Sequence, residues 1–246
     1  MLERKSLNFP PKVLYENRNC NQVDFSVLIC GAINVDTKKR VNSVFKLDGP
    51  ELRCKKLTCM PKKLSSFITA VTNSNLFILG WYSELQNLNV TVFKFCNKTK
   101  TWLCETKLVQ NDIFIVCSFM NNLYVVYGPS NCFVYNLENK KLMELAKIKH
   151  IRYNAACTVF EGKIVVTGGQ YKRNLQSVET YDHYENKWTY LPDMIEKRFC
   201  HASVSMGNKL FVIGGYDSTS NEIFDSSSRK LFLLRSYSKD ISCSSV

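Results

Sequence analysis

Short runs rich in Val, Ile, Phe and Tyr recur along the chain and are separated by Gly, Asn and charged residues. They include FSVLIC at 25–30, IVCSFM at 115–120 with LYVVYG at 123–128, AACTVF at 155–160 with KIVVTGG at 163–169, and HASVSM at 201–206 with KLFVIGG at 209–215. Runs of this length, β-branched and aromatic, bounded by turn residues, are strands. The pattern predicts an all-β chain.

The runs also repeat. Five segments place an aromatic residue seven positions before a large apolar one: Phe45 and Leu52, Phe95 and Trp102, Tyr135 and Leu142, Tyr181 and Trp188, Phe224 and Leu231. A glycine follows the apolar anchor 26 residues on at Gly128, Gly168 and Gly214, and two residues later than that at Gly80. Each unit is about 40 to 50 residues long and holds four short strands, which is the signature of a propeller blade. An immunoglobulin-like sandwich would also show many short strands, but not one spacing kept five times.

VVTGG at 165–169, VIGG at 212–215, SVETYDHYENKW at 177–188, LPDM at 191–194 and Arg198 resemble kelch repeats. The resemblance spans residues 25–246 and leaves 1–24 as a tail or linker. It implies a kelch-type β-propeller of about five four-stranded blades, although the kelch-like proteins it resembles usually have six. Gly31-Ala32, Gly80-Trp81 and Gly128-Pro129 lack the second glycine, and Leu replaces the blade tryptophan in three of the five units. Glycines at a strand end permit positive φ and close backbone approach. The aromatic and its anchor can sit on neighbouring strands and fill the gap between blades, so the first and third blades, with Leu as anchor, should be looser than the fourth. The tail Lys239–Val246 occupies the register of RFCHASVS at 198–205. It is expected to supply the missing innermost strand of the first blade and so close the ring.

At 246 residues and 45% hydrophobic content the chain can bury a sizeable core. No stretch approaches the run of roughly 20 apolar residues that spans a bilayer, and no signal core follows the start, so no membrane association is expected. Eleven cysteines, an odd number with no C-x-x-C pair, argue for reduced thiols and a cytoplasmic location. The net charge is +12, and residues 1–63 hold 13 basic against 6 acidic groups. These charges are scattered singly and in pairs, as on a solvated surface, and no aromatic-basic stacking platform points to nucleic acid. His150, His183 and His201 are too few and too separated for a metal or acid-base cluster, and no nucleophile or nucleotide motif occurs. The chain reads as a non-enzyme without cofactor or metal.

Length variation falls in one loop per unit: from glycine to the next aromatic the count is 14, 15, 7, 13 and 10 residues. In repeat folds such insertions collect on one face, often the binding face. That loop carries Trp81 and Tyr82, then Tyr171, Lys172 and Arg173, then Tyr216 and Asp217. The loops ahead of the inner strands add Arg152, Asn154, Arg198 and Cys200. Tyr, Trp and Arg are the types enriched at protein hot spots, while Arg152 and Arg198 could instead tie neighbouring blades through backbone bonds. The resemblance implies that these positions contact a protein partner or an acidic, degron-like peptide. It implies the substrate-recognising propeller of a kelch-like adaptor for a cullin-type ubiquitin ligase. Such adaptors carry BTB and BACK domains ahead of the propeller; residues 1–24 are too short for either, so this chain alone is not expected to bind a cullin. The alternative is an actin-binding propeller, which the basic surplus suits.

Overall fold

Tight turns decide how the apolar runs pair. In the computed structural model, two-residue hairpin loops at Met120-Asn121 (φ 46° and 56°) and Glu161-Gly162 (φ 49° and 71°) have both residues left-handed, the type I′ geometry whose twist matches that of the flanking strands. A second turn type recurs one hairpin later. The side-chain oxygens of Asn136, Asp182 and Asp225 accept the backbone N–H groups two and three residues on, at 2.9–3.2 Å. The residue four positions on, Lys140, Asn186 or Arg229, then takes positive φ. Cys96 stands at the same place before Lys100. Its sulfur is held by the hydroxyl and backbone N–H of Thr99 and by the backbone N–H of Lys98, which lower its pKa below the ordinary thiol value.

The structure describes residues 26–33, 40–48, 53–61, 64, 66–72, 75–81, 90–96, 98–108, 113–127, 130–216, 218 and 220–235. The chain divides into two compact units, Met1–Val109 and Gln110–Val246. In the first unit, β1 (Ser26–Ile33), β2 (Arg40–Asp48) and β3 (Arg53–Cys59) form a three-stranded sheet, and β4 (Ser66–Thr72), β5 (Asn75–Trp81), β6 (Val90–Cys96) and β7 (Thr101–Leu108) a four-stranded one. In the second unit, the third sheet holds β8 (Ile113–Phe119), β9 (Asn122–Tyr127), β10 (Asn131–Asn136) and β11 (Leu142–Leu145). The fourth holds β12 (Ala156–Phe160), β13 (Lys163–Thr167), β16 (Val178–Asp182) and β17 (Lys187–Leu191), with the ribbon β14 (Gln170–Tyr171) and β15 (Arg173–Asn174) inserted after β13. The fifth holds β18 (Ala202–Met206), β19 (Lys209–Ile213), β20 (Ser220–Asp225) and β21 (Lys230–Arg235). Neighbouring strands pair antiparallel in every sheet. No helix among the described residues is long and apolar enough to cross a membrane.

Four of the five seven-spaced pairs are direct cross-strand partners: Phe95 with Trp102, Tyr135 with Leu142, Tyr181 with Trp188, and Phe224 with Leu231. The first sheet departs. A register shift after Val44 sets Phe45 opposite Lys56, and Leu52 lies outside the described residues. The glycine pairs close the second strand of their sheets, β13 and β19, rather than the edge strand.

Each unit buries apolar side chains between its own sheets. In the first, Val44, Ile78, Phe93 and Phe95 form a shared core. In the second, Ile115, Cys117, Val166, Tyr181 and Trp188 join the third and fourth sheets, and Phe160, Val165, Leu210 and Val212 join the fourth and fifth. Trp188 shows why the tryptophan matters. Its ring packs 5.1 Å from Tyr181, and its Nε1 donates to the Ala146 carbonyl at 2.9 Å, outside its own sheet. Leu142, at the equivalent place in the third sheet, is 46% exposed. Trp188→Leu should therefore cost about 2–3 kcal/mol in urea unfolding, through lost area and one lost hydrogen bond. A change within experimental error would show that the indole does not hold the two sheets together.

Repeat alignment places β1 with β5, β9, β13 and β19, so the first sheet lacks its counterpart of β4, β8, β12 and β18 among the described residues. The segment expected to fill that place, 239–246, lies outside the described residues. Deleting it should lower Tm by at least about 5 °C by leaving the β1 edge unpaired; an unchanged Tm would refute this strand assignment.

Candidate interaction surface

The loops ahead of β12 and β18 are built alike around a buried ion pair. Glu179, on β16, accepts the backbone N–H groups of Lys149 (2.8 Å) and His150 (2.9 Å) and Nη2 of Arg152 (2.6 Å). Glu222, on β20, accepts those of Ile195 (2.7 Å) and Glu196 (3.0 Å) and Nε of Arg198 (3.0 Å). Each guanidinium also donates back into its own sheet. Arg152 reaches the carbonyls of Gly168 (2.7 Å) and Ser177 (3.0 Å), and Arg198 those of Gly214 (2.8 Å) and Ser220 (2.7 Å). All four charged side chains are fully buried. Ion pairs this enclosed are worth keeping only when further hydrogen bonds satisfy them, as here.

Arg152 and Arg198, expected at the partner-binding rim, are buried within the loops they brace. Their side chains brace loops within a single sheet, while the backbone of Arg198 accepts from Gly169 at 2.8 Å and donates to Leu175 at 3.1 Å, so it also ties the fourth sheet to the fifth. Both guanidinium groups are buried with most of their N–H donors engaged, only Nε of Arg152 being left without a partner among the described residues, and they support the loops from within.

What these braces position is a repeated surface. Two residues beyond each arginine, Asn154 (φ 52°) and Cys200 (φ 53°) take the left-handed conformation and are exposed. The N–H of Cys200 donates to the carbonyl of Asn154 at 2.9 Å and joins the two loops. Between arginine and bend sit Tyr153 and Phe199. The Tyr153 ring lies 6.1 Å from Tyr171, and its backbone exchanges two hydrogen bonds with Gln170. The Phe199 ring lies 5.0 Å from Tyr216, whose N–H donates to the Phe199 carbonyl. The outer members, Tyr171 and Tyr216, are 37% and 40% exposed.

Lys172 and Arg173 are exposed in the tight β14–β15 turn, where Lys172 has φ 57° and its Nζ stands 5.6 Å from the Tyr171 ring centroid. Gly169 permits the close packing beneath. Its φ is 96°, a Cβ there would lie 2.8 Å from the Tyr153 carbonyl oxygen, and its N–H donates to the Arg198 carbonyl at 2.8 Å.

Tyr171, Lys172, Arg173, Asn154, Cys200 and Tyr216 thus lie on linked loops of the second unit. Trp81 ends β5 in the first unit, its side chain outside the described residues, and Tyr82 and Asp217 are outside them altogether. Tyr153, Phe199, Glu179 and Glu222 were not among the expected site residues. The carboxylates had a signal: Glu two positions before the repeat aromatic occurs in the two units that carry the arginine.

His201 sits beneath this surface. Its Nε2 lies 2.8 Å from the Thr167 hydroxyl, while Nδ1 is shut off from solvent without a partner. Burial, then the charges of Arg198 and Arg152, push its pKa down to about 3. The unfolded chain takes up this proton near pH 6.5 and the folded chain does not, so stability falls as pH drops below that value. From pH 7 to pH 5 the loss traceable to His201 should be as much as about 2 kcal/mol, and His201→Gln should remove it. Equal pH dependence of the two proteins in urea unfolding would show that the imidazole is not held neutral.

The Kelch motif matches residues 151–195 and again 197–245. Kelch-like protein 41b of Danio rerio is 29% identical over 205 residues, 77% of this chain and 34% of that protein. Kelch-like protein 40 of Xenopus tropicalis is 34% identical over 115 residues, 44% of this chain and 19% of that protein. Kelch repeat protein C2 of vaccinia virus (strain Western Reserve) is 28% identical over 116 residues, 47% of this chain and 22% of that protein. The matched part thus spans about a third or less of these relatives. Among solved structures, that titled "Structure of YjhT" superposes with a TM-score of 0.68 at 12% identity, covering 85% of this chain and 81% of that one, a likeness of fold.

Proposed function

Since this chain is a kelch-repeat propeller resembling the kelch domains of kelch-like proteins, and so a protein-interaction module, we propose that it recognises the substrate of a cullin-type ubiquitin ligase. The bound element is an acidic peptide segment of that substrate, and the setting is the cytoplasm. The observation that carries this reading is the repeated aromatic pair, Tyr153 with Tyr171 and Phe199 with Tyr216, beside the exposed cations Lys172 and Arg173. Aromatic faces supply contact area at low entropic cost, and the cations favour carboxylates. Loops braced by buried ion pairs lose little freedom on binding. Trp81, Tyr82 and Asp217 complete the set of residues in this reading, and attachment to the cullin rests with BTB and BACK domains.

The alternative, binding to an actin filament, rests on the basic surplus of the chain, which suits an acidic filament. One experiment separates the two. Affinity capture from cell lysate should recover ligase substrates with the wild type and lose them at least about tenfold with Tyr171→Ala/Lys172→Ala/Tyr216→Ala, a loss of about 1.4 kcal/mol. All three side chains are exposed, so the variant keeps its fold. Identical partner sets would overturn the surface assignment, and actin recovered equally by both would favour the filament.

A further inference from the structure

The loops ahead of β12 and β18 stand at one end of their sheets, and the tight turns stand at the other, because β12 runs from its loop to Glu161-Gly162 and β13 runs back. At that second end, turns of the third and fourth sheets enclose a cleft of about 210 Å³. Met120, in the β8–β9 hairpin, forms one wall and is 56% exposed. Tyr184, in the β16–β17 turn, forms another. Its ring lies 3.8 Å from that of His183 and is 84% exposed, which leaves its second face open. His183 is held in turn by the edge-on ring of Phe119 at 5.3 Å. Three charged groups also line the cleft. Lys163 and Asp182 neutralise each other at 2.8 Å. Glu161 accepts only the hydroxyl of Ser226, through Oε1, and has no ion pair among the described residues. The cleft thus carries one uncompensated negative charge in a chain of net charge +12.

We propose that this cleft is a second docking site, which takes one arginine side chain from a basic segment of a partner protein. Its volume is below the roughly 300–1,000 Å³ of sites that hold a free small ligand, so it fits a single side chain carried by a longer chain. The guanidinium plane stacks on the open face of Tyr184. Its N–H groups donate to Oε2 of Glu161, a charge-assisted bond. The Met120 thioether packs against the arginine methylenes. Lysine would match the charge but has no plane to stack and no forked donors.

The walls stand ready before the ligand arrives. Met120 and Glu161 are fixed in left-handed hairpin turns, and Asp182 holds the Tyr184 turn by accepting the backbone N–H groups of Tyr184 at 2.9 Å and Glu185 at 3.2 Å. Little freedom is therefore lost on binding. The positive net charge opposes loose attachment of a basic segment elsewhere. Five residues of strand, roughly 17 Å, separate this end from the loops ahead of the inner strands, so the site does not depend on what those loops bind.

The test titrates the full chain with a short capped Gly/Ser peptide carrying one central arginine, and with its twin carrying citrulline, and follows backbone amides by NMR. With the arginine peptide, the amides of Glu161, Lys163, His183 and Tyr184 should shift and saturate with a Kd of about 1 mM or tighter. Citrulline keeps the shape without the charge and should bind at least about fivefold more weakly. Glu161→Gln and, separately, Tyr184→Ala should each weaken the arginine peptide at least about fivefold. Both side chains are exposed, so these variants keep their fold. Tyr171→Ala, at the other end of the sheet, should leave the binding unchanged. Equal affinity for the two peptides, undiminished binding by Glu161→Gln, or no saturable shift at these amides would overturn the proposal. The comparison of the two peptides on the wild type decides the matter without any variant.

Discussion

The surface described here depends on a carboxylate and a guanidinium meeting where water cannot reach them. Glu179 and Glu222 each gather two backbone N–H groups from the loop ahead of their sheet and bind that loop's arginine. Two charges buried apart would be prohibitive. Buried together, with Gly168, Ser177, Gly214 and Ser220 accepting further donors, they fix the loop path. Cutting one partner would leave an uncompensated charge, at a cost of about 3–5 kcal/mol.

From that constraint the chemistry above it follows. The loop leaving each arginine has one route outward, through an aromatic residue and then a left-handed bend at Asn154 or Cys200. The same bend links the two loops, so Tyr171 and Tyr216 stand on a joined platform rather than on independent segments. Rigidity below and exposed aromatic and cationic groups above suit recognition of another chain. His201, kept neutral beneath the two arginines, adds the condition that the arrangement is firmest at neutral pH.

Between sheets a different rule applies. Flat antiparallel sheets adhere through side chains of the right bulk, and Trp188 reaches the third sheet both by area and by its indole N–H. Where the chain has Leu142 instead, that position opens to solvent. Cys117 and Cys157 pack in the same apolar core as Trp188, between the third and fourth sheets.

Periodicity alone was enough for the strands, the repeat and the cross-strand pairing of Tyr181 with Trp188, because a spacing of seven across a four-residue turn leaves an antiparallel hairpin little choice of register. It also marked the loops that vary. It misplaced Phe45, whose sheet absorbs a bulge that no local pattern announces. It could not decide between partner contact and bracing for Arg152 and Arg198, since an arginine looks the same in sequence whether its donors meet solvent or a buried glutamate. That choice, like the meeting of Trp188 with the Ala146 carbonyl, depends on residues tens of positions away arriving at one point. Burial and long-range proximity are properties of the folded chain, and only the tertiary structure fixes them.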